Sequence, residues 1–260
     1  MPNFAANLSM LFTELPFLDR FAAARAVGFK AVEFQFPYEF PAAEVARRLS
    51  ETGLVPVLFN APPGDLANGE RGLAALPGRE EDFRASLETA LAYARLIGCR
   101  RLHVLAGQST ADPARQEALF VVNLRRAADR AARDGVRLLI EPLNPRDNPN
   151  YFLSSTAQAI AILDRVEKDN VALQFDLYHC QMSEGDLARH VQDLYGRYEH
   201  VQIAGVPGRH EPDRCEVNFP FLFDLFDALG YTGWVGCEYK PAAATVAGLG
   251  WARRWGIGAA

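Results

Sequence analysis

Four short runs of strand-forming residues in the C-terminal half of the chain each end on, or carry, an oxygen-bearing side chain. This repeat restricts the fold more than any other feature. The runs are VRLLIE ending at Glu141, VALQFD ending at Asp176, EHVQIA carrying Gln202 and WVGCE ending at Glu238. They are spaced by 35, 26 and 36 residues, close to the roughly 30 residues of a strand–helix–strand unit. Loop signals and a helical pattern follow each run. As successive parallel strands, they bring all four side chains to the carboxyl edge of one sheet.

The rest of the chain supplies the other strands. Phe4 to Leu8 reads as strand one, followed by a helix over Phe17 to Val27 that stops at Gly28. AVEFQF, Ala31 to Phe36, is strand two; Ala42 to Thr52 is helical and ends at Gly53. LVPVLFN, Leu54 to Asn60, is strand three, although Pro56 is awkward in a central strand. The Gly- and Pro-rich stretch from Ala61 to Gly78 is too long for a simple turn and reads as a functional or mobile loop. A helix over Arg79 to Ile97, a fourth strand RLHVLAG and a helix over Asp112 to Asp134 follow. Later helices are expected over Thr156 to Lys168, Glu184 to Tyr198, Phe219 to Leu229 and Thr245 to Trp255, with a polar loop from Glu211 to Phe219. Eight strand-then-helix units without a composition break predict an α/β fold, a (β/α)8 TIM barrel, since eight parallel strands close on themselves. The rival open, doubly wound sheet normally has a Gly-rich turn after strand one, and FAANLSM is not one.

Composition narrows the function classes. At 260 residues, 49% hydrophobic and 23% charged, the chain fits one large soluble domain. A formal net charge of −5 gives no electrostatic reason to expect nucleic acid or an anionic membrane as partner. Cys99, Cys180, Cys215 and Cys237 form no C-x-x-C pair, which points to free thiols in a reducing compartment. The N-terminal stretch lacks a basic region, carries Glu14 and is stopped by Pro16, so it does not read as a signal peptide. No apolar run reaches membrane-spanning length. A cytoplasmic protein is expected, and a homo-oligomer is left open.

Side chains two apart on a strand share a face, so Gln174 pairs with Asp176, His200 with Gln202 and Glu238 with Lys240. Inward acids at the ends of apolar strands are unfavourable unless paired or metal-bound. Neutralisation by neighbouring Arg or Lys would account for one such acid. Four polar residues on four consecutive strand ends point instead to a divalent-metal site. Oxygen donors without a thiolate favour a hard ion, Mg²⁺ or Mn²⁺.

The segments FAANLSMLFTELPF, VEFQFPY, GERGLAALPGRE, HVQIAG, GRHEP and GWVGCEYKP resemble the hydroxypyruvate isomerase family, within the xylose-isomerase-like TIM barrels, from end to end. HVQIAG, RHEP and GCEYKP are most similar to its 2-oxo-tetronate isomerase branch. The resemblance implies one such barrel over residues 1–260. It puts the metal ligands at Glu141, Asp176, Gln202 and Glu238, and the two acid/base glutamates at Glu141 and Glu238. Many wider relatives, sugar epimerases among them, have histidine where this chain has Gln202.

Such a site can hold an α-hydroxy carbonyl compound by both oxygens while a carboxylate moves its carbon-bound proton. The expected partner is a small hydroxy-oxo acid: 2-oxo-tetronate, converted to 3-oxo-tetronate, or hydroxypyruvate, converted to tartronate semialdehyde. Candidates for its carboxylate are Arg71, Arg209, His210 and Lys240. His179 matches a substrate-contacting position in related epimerases. His103 reads as a satisfied core residue, Glu33 as structural rather than as support for the mouth, and His190 and His200 as lying outside it. Phe34, Phe36, Tyr38 and Phe40 read as packing and pocket wall. Three other readings remain: a ketose 3-epimerase on an uncharged sugar, a DNA-repair endonuclease on the same barrel, and a barrel that binds a ligand without turnover.

Overall fold

The computed structural model describes residues 2–258. Its centre is a closed barrel of eight parallel strands in sequential order. They are β1 (Asn3–Asn7), β2 (Ala31–Phe34), β3 (Val55–Asn60), β4 (Arg101–His103), β5 (Arg137–Ile140), β6 (Val171–Asp176), β7 (Tyr198–Ile203) and β8 (Trp234–Cys237). Closure comes from β1 pairing with β8, in register Ala5 with Gly236. The predicted architecture is therefore the observed one. β2 and β6 are buried at every residue, as expected of strands covered on both faces. Around the barrel lie α1 (Arg20–Ala26), α2 (Ala42–Thr52), α3 (Glu80–Ile97), α4 (Pro113–Ala132), α5 (Thr156–Val166), α6 (Leu177–Ser183), α7 (Leu187–Asp193) and α8 (Phe219–Ala228). Among the described residues, no helix is long and apolar enough to cross a membrane.

Several boundaries differ from the sequence reading for identifiable reasons. Of RLHVLAG, only Arg101–His103 forms a strand; beyond it, Ala106 makes an isolated antiparallel bridge to Gly72. Over Glu184 to Tyr198 the helix is only α7, Leu187–Asp193, and a further short helix, α6, precedes that span. α6 starts directly after β6, because the Asp176 side chain accepts the Tyr178 N–H at 2.7 Å and caps it. Gly185 and Asp186, at φ 72° and 46°, then end that helix, and Tyr198 already belongs to β7. The segment Thr245–Trp255 is 3-10 rather than α-helical. Pro56 is tolerated where the β2–β3 register shifts, between Val32 and Glu33.

The main core fills the layer between barrel and helices. Outside β1, Phe4 packs edge-on against Phe223, Trp251 and Trp255, with ring centroids 5.0–5.2 Å apart. Inside the barrel the contents are layered. Small apolar clusters, Ala5–Ala31–Val57 with Trp234 and Leu58–Leu139–Ala172, are separate from the main core. Ala5, Ala31, Leu139 and Ala172 stand two residues before Asn7, Glu33, Glu141 and Gln174, so a polar layer lies above the apolar one on the same inward face.

The long loop after β3 is pinned. Gly72 donates to the Pro63 carbonyl at 2.8 Å, and Ala74 and Ala75 donate to Leu105 and Ala106. Gly72 has φ +117°, and a Cβ there would lie 2.4 Å from the Leu105 carbonyl oxygen. Gly72→Ala should therefore destabilise the fold by about 1–3 kcal/mol through backbone strain and this collision. Urea unfolding measures it, and an unchanged midpoint would show that the loop is not seated against the segment after β4.

Candidate metal centre and active site

The strand ends deliver the expected side chains to one place. Glu141 follows β5, Asp176 closes β6, Gln202 lies in β7 and Glu238 follows β8; all four are buried. The register sets Asp176 beside Gln202, and Gln202 beside Gly236. Oxygen atoms of Glu141 and Asp176 and a ring nitrogen of His179 lie within 4.8 Å of one another. Glu238 joins this group through Arg209, whose Nη2 is 2.7 Å from Glu238 Oε2 and 3.7 Å from Asp176 Oδ2. The Arg209 guanidinium lies 4.9 Å over the Tyr178 ring, and its backbone is left-handed, at φ 55°.

Hydrogen bonds assign parts to the surrounding atoms. His179 Nδ1 accepts the Asn144 backbone N–H at 3.1 Å and faces Asn144 Nδ2 at 2.7 Å. The proton of the neutral ring is thus on Nε2, which is 3.7 Å from Asp176 Oδ2 and is a donor rather than a ligand. Gln202 donates from Nε2 to Glu33 Oε1 at 2.8 Å, and its Oε1 accepts from Gln174 at 2.6 Å. Glu238 Oε1 accepts from Asn7 and from Gln35, each at 3.1 Å. Glu141 Oε1 and Asp176 Oδ2 are buried without a hydrogen-bond donor. Acceptors stranded in this way are unfavourable, and a hard cation between them would satisfy both. The residues present therefore fit a divalent ion.

Of the other candidates, Arg71, Arg209, His179 and Lys240 line a cavity of about 250 Å³ together with Glu141 and Glu238. Arg71 also donates to Asn148 Oδ1 at 3.3 Å. His210 does not reach this cavity: it is exposed, and its Nδ1 donates to the Lys240 carbonyl at 2.8 Å. The GRHEP loop turns its arginine inward at the left-handed residue and its histidine outward.

Three expectations are corrected. His103 is buried but only half satisfied; it lines the cavity, with Nδ1 3.3 Å from Asn60 Oδ1 and 3.6 Å from Glu141 Oε2, and Nε2 without a partner. Glu33 supports the mouth, through Asn7 and Gln202. His200 is inside the barrel, fully buried, and 2.6 Å from Glu33 Oε2. Of the four aromatics, only Phe36 is cavity wall; Phe34 packs against Phe17, Phe21 and Phe59, Phe40 against Phe17, and Tyr38 against Phe59 and Tyr93. Asn7 and Gln35 join the site beyond the sequence expectations, although each shares strand parity with a residue of the inner face.

The site's titration follows from crowding. Burial, then Glu238 and Asp176, raise the Glu141 carboxyl well above its usual range. Burial raises Asp176, with Arg209 opposing. Glu238 is pushed up to about 7, by burial first and then by Asp176 and Glu33, against the pull of Arg209. Burial lowers His103 to about 3 and His179 well below the ordinary histidine value.

A family profile for the xylose isomerase-like TIM barrel matches residues 21–255. The chain is 57% identical over 253 residues to a 2-oxo-tetronate isomerase of Cupriavidus necator, covering 96% of this chain and 97% of that one. It is 43% identical over 253 residues to the hydroxypyruvate isomerase of Escherichia coli, covering 96% and 98%. A Brucella melitensis crystal structure described as an AP endonuclease, family 2, superimposes with a TM-score of 0.97 at 49% identity, covering 98% of this chain and 99% of that one.

The raised acids and lowered histidines act oppositely on stability. Neutral histidines lose stability as pH falls below about 6.5, where the unfolded chain gains their protons. Acids with raised values are most stabilising below their ordinary range and lose stability as pH rises through the folded value. Above pH 6.5 only the acids still change, so the metal-free protein should melt at progressively lower temperature from about pH 6.5 to pH 8. Mn²⁺ should reverse this loss. Scanning calorimetry tests both, and a pH-independent midpoint over that interval would contradict the crowding.

Proposed function

The chain belongs to the xylose isomerase-like TIM barrel family, and from that premise we propose that it is a metal-dependent isomerase of a small hydroxy-oxo acid. The reaction is 2-oxo-tetronate to 3-oxo-tetronate, with hydroxypyruvate to tartronate semialdehyde as the three-carbon counterpart. One observation carries the reading. Glu141, Glu238, His179 and Arg209 line a cavity of about 250 Å³ whose rim also carries Arg71 and Lys240. That arrangement supplies carboxylates for proton transfer and cations for a substrate carboxylate. The names of the relatives at 57% and 43% identity agree with it.

Glu141, Asp176, Gln202 and Glu238 would hold the cation, and their hard oxygen donors suit Mg²⁺ or Mn²⁺. When bound, such an ion supplies the positive charge that favours an enediolate over the neutral ketone. The chain's own groups do the rest. One of Glu141 and Glu238 takes the proton from C3 of the 2-oxo acid, and a carboxyl group returns a proton to C2. The hydroxyl proton passes from O3 to O2, so the carbonyl has moved one carbon with no net gain or loss of atoms. His179 Nε2–H is a donor for a substrate oxygen, and Arg71 and Lys240 take the carboxylate. Arg209 moderates the repulsion among the acids.

Incubating the Mn²⁺-loaded protein with each acid in D₂O, followed by NMR, tests this proposal. The carbonyl should migrate, with deuterium appearing at the newly protonated carbon. Glu141→Gln and Glu238→Gln should each lower turnover by about 10²–10⁴-fold with native circular dichroism; full activity in both would reject the reading. A ketose such as tagatose or fructose inverted at C3, with both acids ignored, would favour the 3-epimerase. The description of the Brucella protein motivates one more arm, a duplex with an abasic site. No incision is expected of a chain with a net charge of −5 and a cavity this small.

A further inference from the structure

A fourth acid lies in the barrel, and the reaction just described does not use it. Glu33 is 1% exposed and reaches from β2 across the interior. Its Oε1 accepts from Asn7 Nδ2 at 2.9 Å and from Gln202 Nε2 at 2.8 Å; its Oε2 accepts from His200 Nε2 at 2.6 Å. Space has been kept for it, since a Cβ on Gly236 would lie 2.3 Å from Glu33 Oε2. A buried acid is unfavourable unless it is paired or hydrogen-bonded, and the partners that satisfy Glu33 include a residue of the site, Gln202, and one bonded to Glu238, Asn7.

We propose that Glu33 is a positioning residue that sets the orientation of two of the metal ligands proposed above, Gln202 and Glu238. An amide has one end that can coordinate a hard cation and one that cannot. A carboxylate only accepts, so Gln202 meets Glu33 through Nε2, and its Oε1, which also accepts from Gln174 at 2.6 Å, is the end with a lone pair to offer a cation. A neutral partner would accept either orientation. Asn7 extends the same control to β8: its Nδ2 contacts Glu33 Oε1 and, at 3.1 Å, Glu238 Oε1. His200 fixes the other Glu33 oxygen, so the carboxylate cannot swing away. Glu33 thus acts on the cation through the groups that hold it, as partners of metal ligands do elsewhere.

This inference rests on the metal reading, and its test reads binding rather than turnover. Mn²⁺ affinity is measured by titration calorimetry on wild type, Glu33→Gln and Glu33→Asp, with circular dichroism and thermal unfolding of each metal-free protein. Glu33→Gln keeps the shape but loses the acceptor-only character; Glu33→Asp keeps that character but withdraws it by one methylene. Each should bind Mn²⁺ about 10–100-fold more weakly with a native spectrum, and millimolar Mn²⁺ should recover the turnover of Glu33→Gln. Undiminished affinity in either folded variant, with only the melting temperature lowered, would make Glu33 a packing residue and overturn the proposal. Because affinity is read directly, the comparison decides the role of Glu33 even if neither acid is a substrate. A wild-type protein that binds no Mn²⁺ overturns this proposal and the metal reading together.

Discussion

Repulsion among the buried acids at the carboxyl end of the barrel is the constraint to which the rest of the structure answers. Glu141, Asp176 and Glu238 are each no more than 6% exposed, and oxygen atoms of the first two lie within 4.8 Å of each other. Like charges so placed in a poorly solvated site repel, which adds to burial in raising the Glu141 carboxyl. A chain folded only for stability would not collect them. The closed barrel makes the collection tolerable because its strands are fixed by pairing on both sides and cannot spread to relieve the strain. Compensation is local: one guanidinium on Glu238 and Asp176, amides of Asn7 and Gln35 on Glu238, and a backbone N–H on Asp176. It is also incomplete, since Glu141 Oε1 and Asp176 Oδ2 have no donor, and that remainder is what a cation would remove.

Arg209 shows how loop and barrel share this work. Its side chain lies over Tyr178, whose hydroxyl donates to Asp147 at 2.7 Å. The Lys240 N–H holds the Arg209 carbonyl at 2.7 Å. The arginine is therefore tied both to α6 and to the residues after β8. Unlike an ion, it cannot leave the mouth, so the acids keep a positive neighbour at all times. Its left-handed backbone is the accompanying strain, of the kind that persists where surrounding contacts over-determine a conformation.

Much of this was legible in the sequence because strands have a period of two and units of this fold a period near 30 residues. Those two rules alone place Glu141, Asp176, Gln202 and Glu238 on one rim, and the register agrees for Asp176 and Gln202. What they do not encode is reach. Glu33 meets His200 and Gln202 across 167 and 169 residues of chain, and nothing local in VEF indicates that its carboxylate crosses the barrel. The small residue that permits it, Gly236, reads from sequence as an ordinary strand glycine. The rim position of His103 is hidden for a related reason: its strand is only three residues long, within a longer run that reads as one strand. The helix α6 has no counterpart in the sequence reading because Asp176 both ends a strand and caps the following helix, a double role that pattern reading assigns to two separate residues.

The division between strand and loop also bears on specificity. In the proposed reaction the proton moves between adjacent carbons, so the acids must be held rigidly, and strand ends do this better than loops. In both acids the carboxylate is bonded to C2 and keeps its place; the four-carbon acid adds a hydroxymethyl group on C3, which extends the far end of the molecule by about 1.5 Å. A wall that must admit or exclude that added group is more readily varied on loops than on strands. Arg71 and Leu66 come from the segment after β3, and Lys240 from the residues after β8, and all three line the same cavity. In the proposed reaction the strand set would fix the kind of chemistry, and the loop set the length of the acid admitted. A three-carbon and a four-carbon substrate would then share Glu141, Asp176, Gln202 and Glu238 and differ only at the rim, where Arg71 is already exposed and held by a single 3.3 Å contact to Asn148.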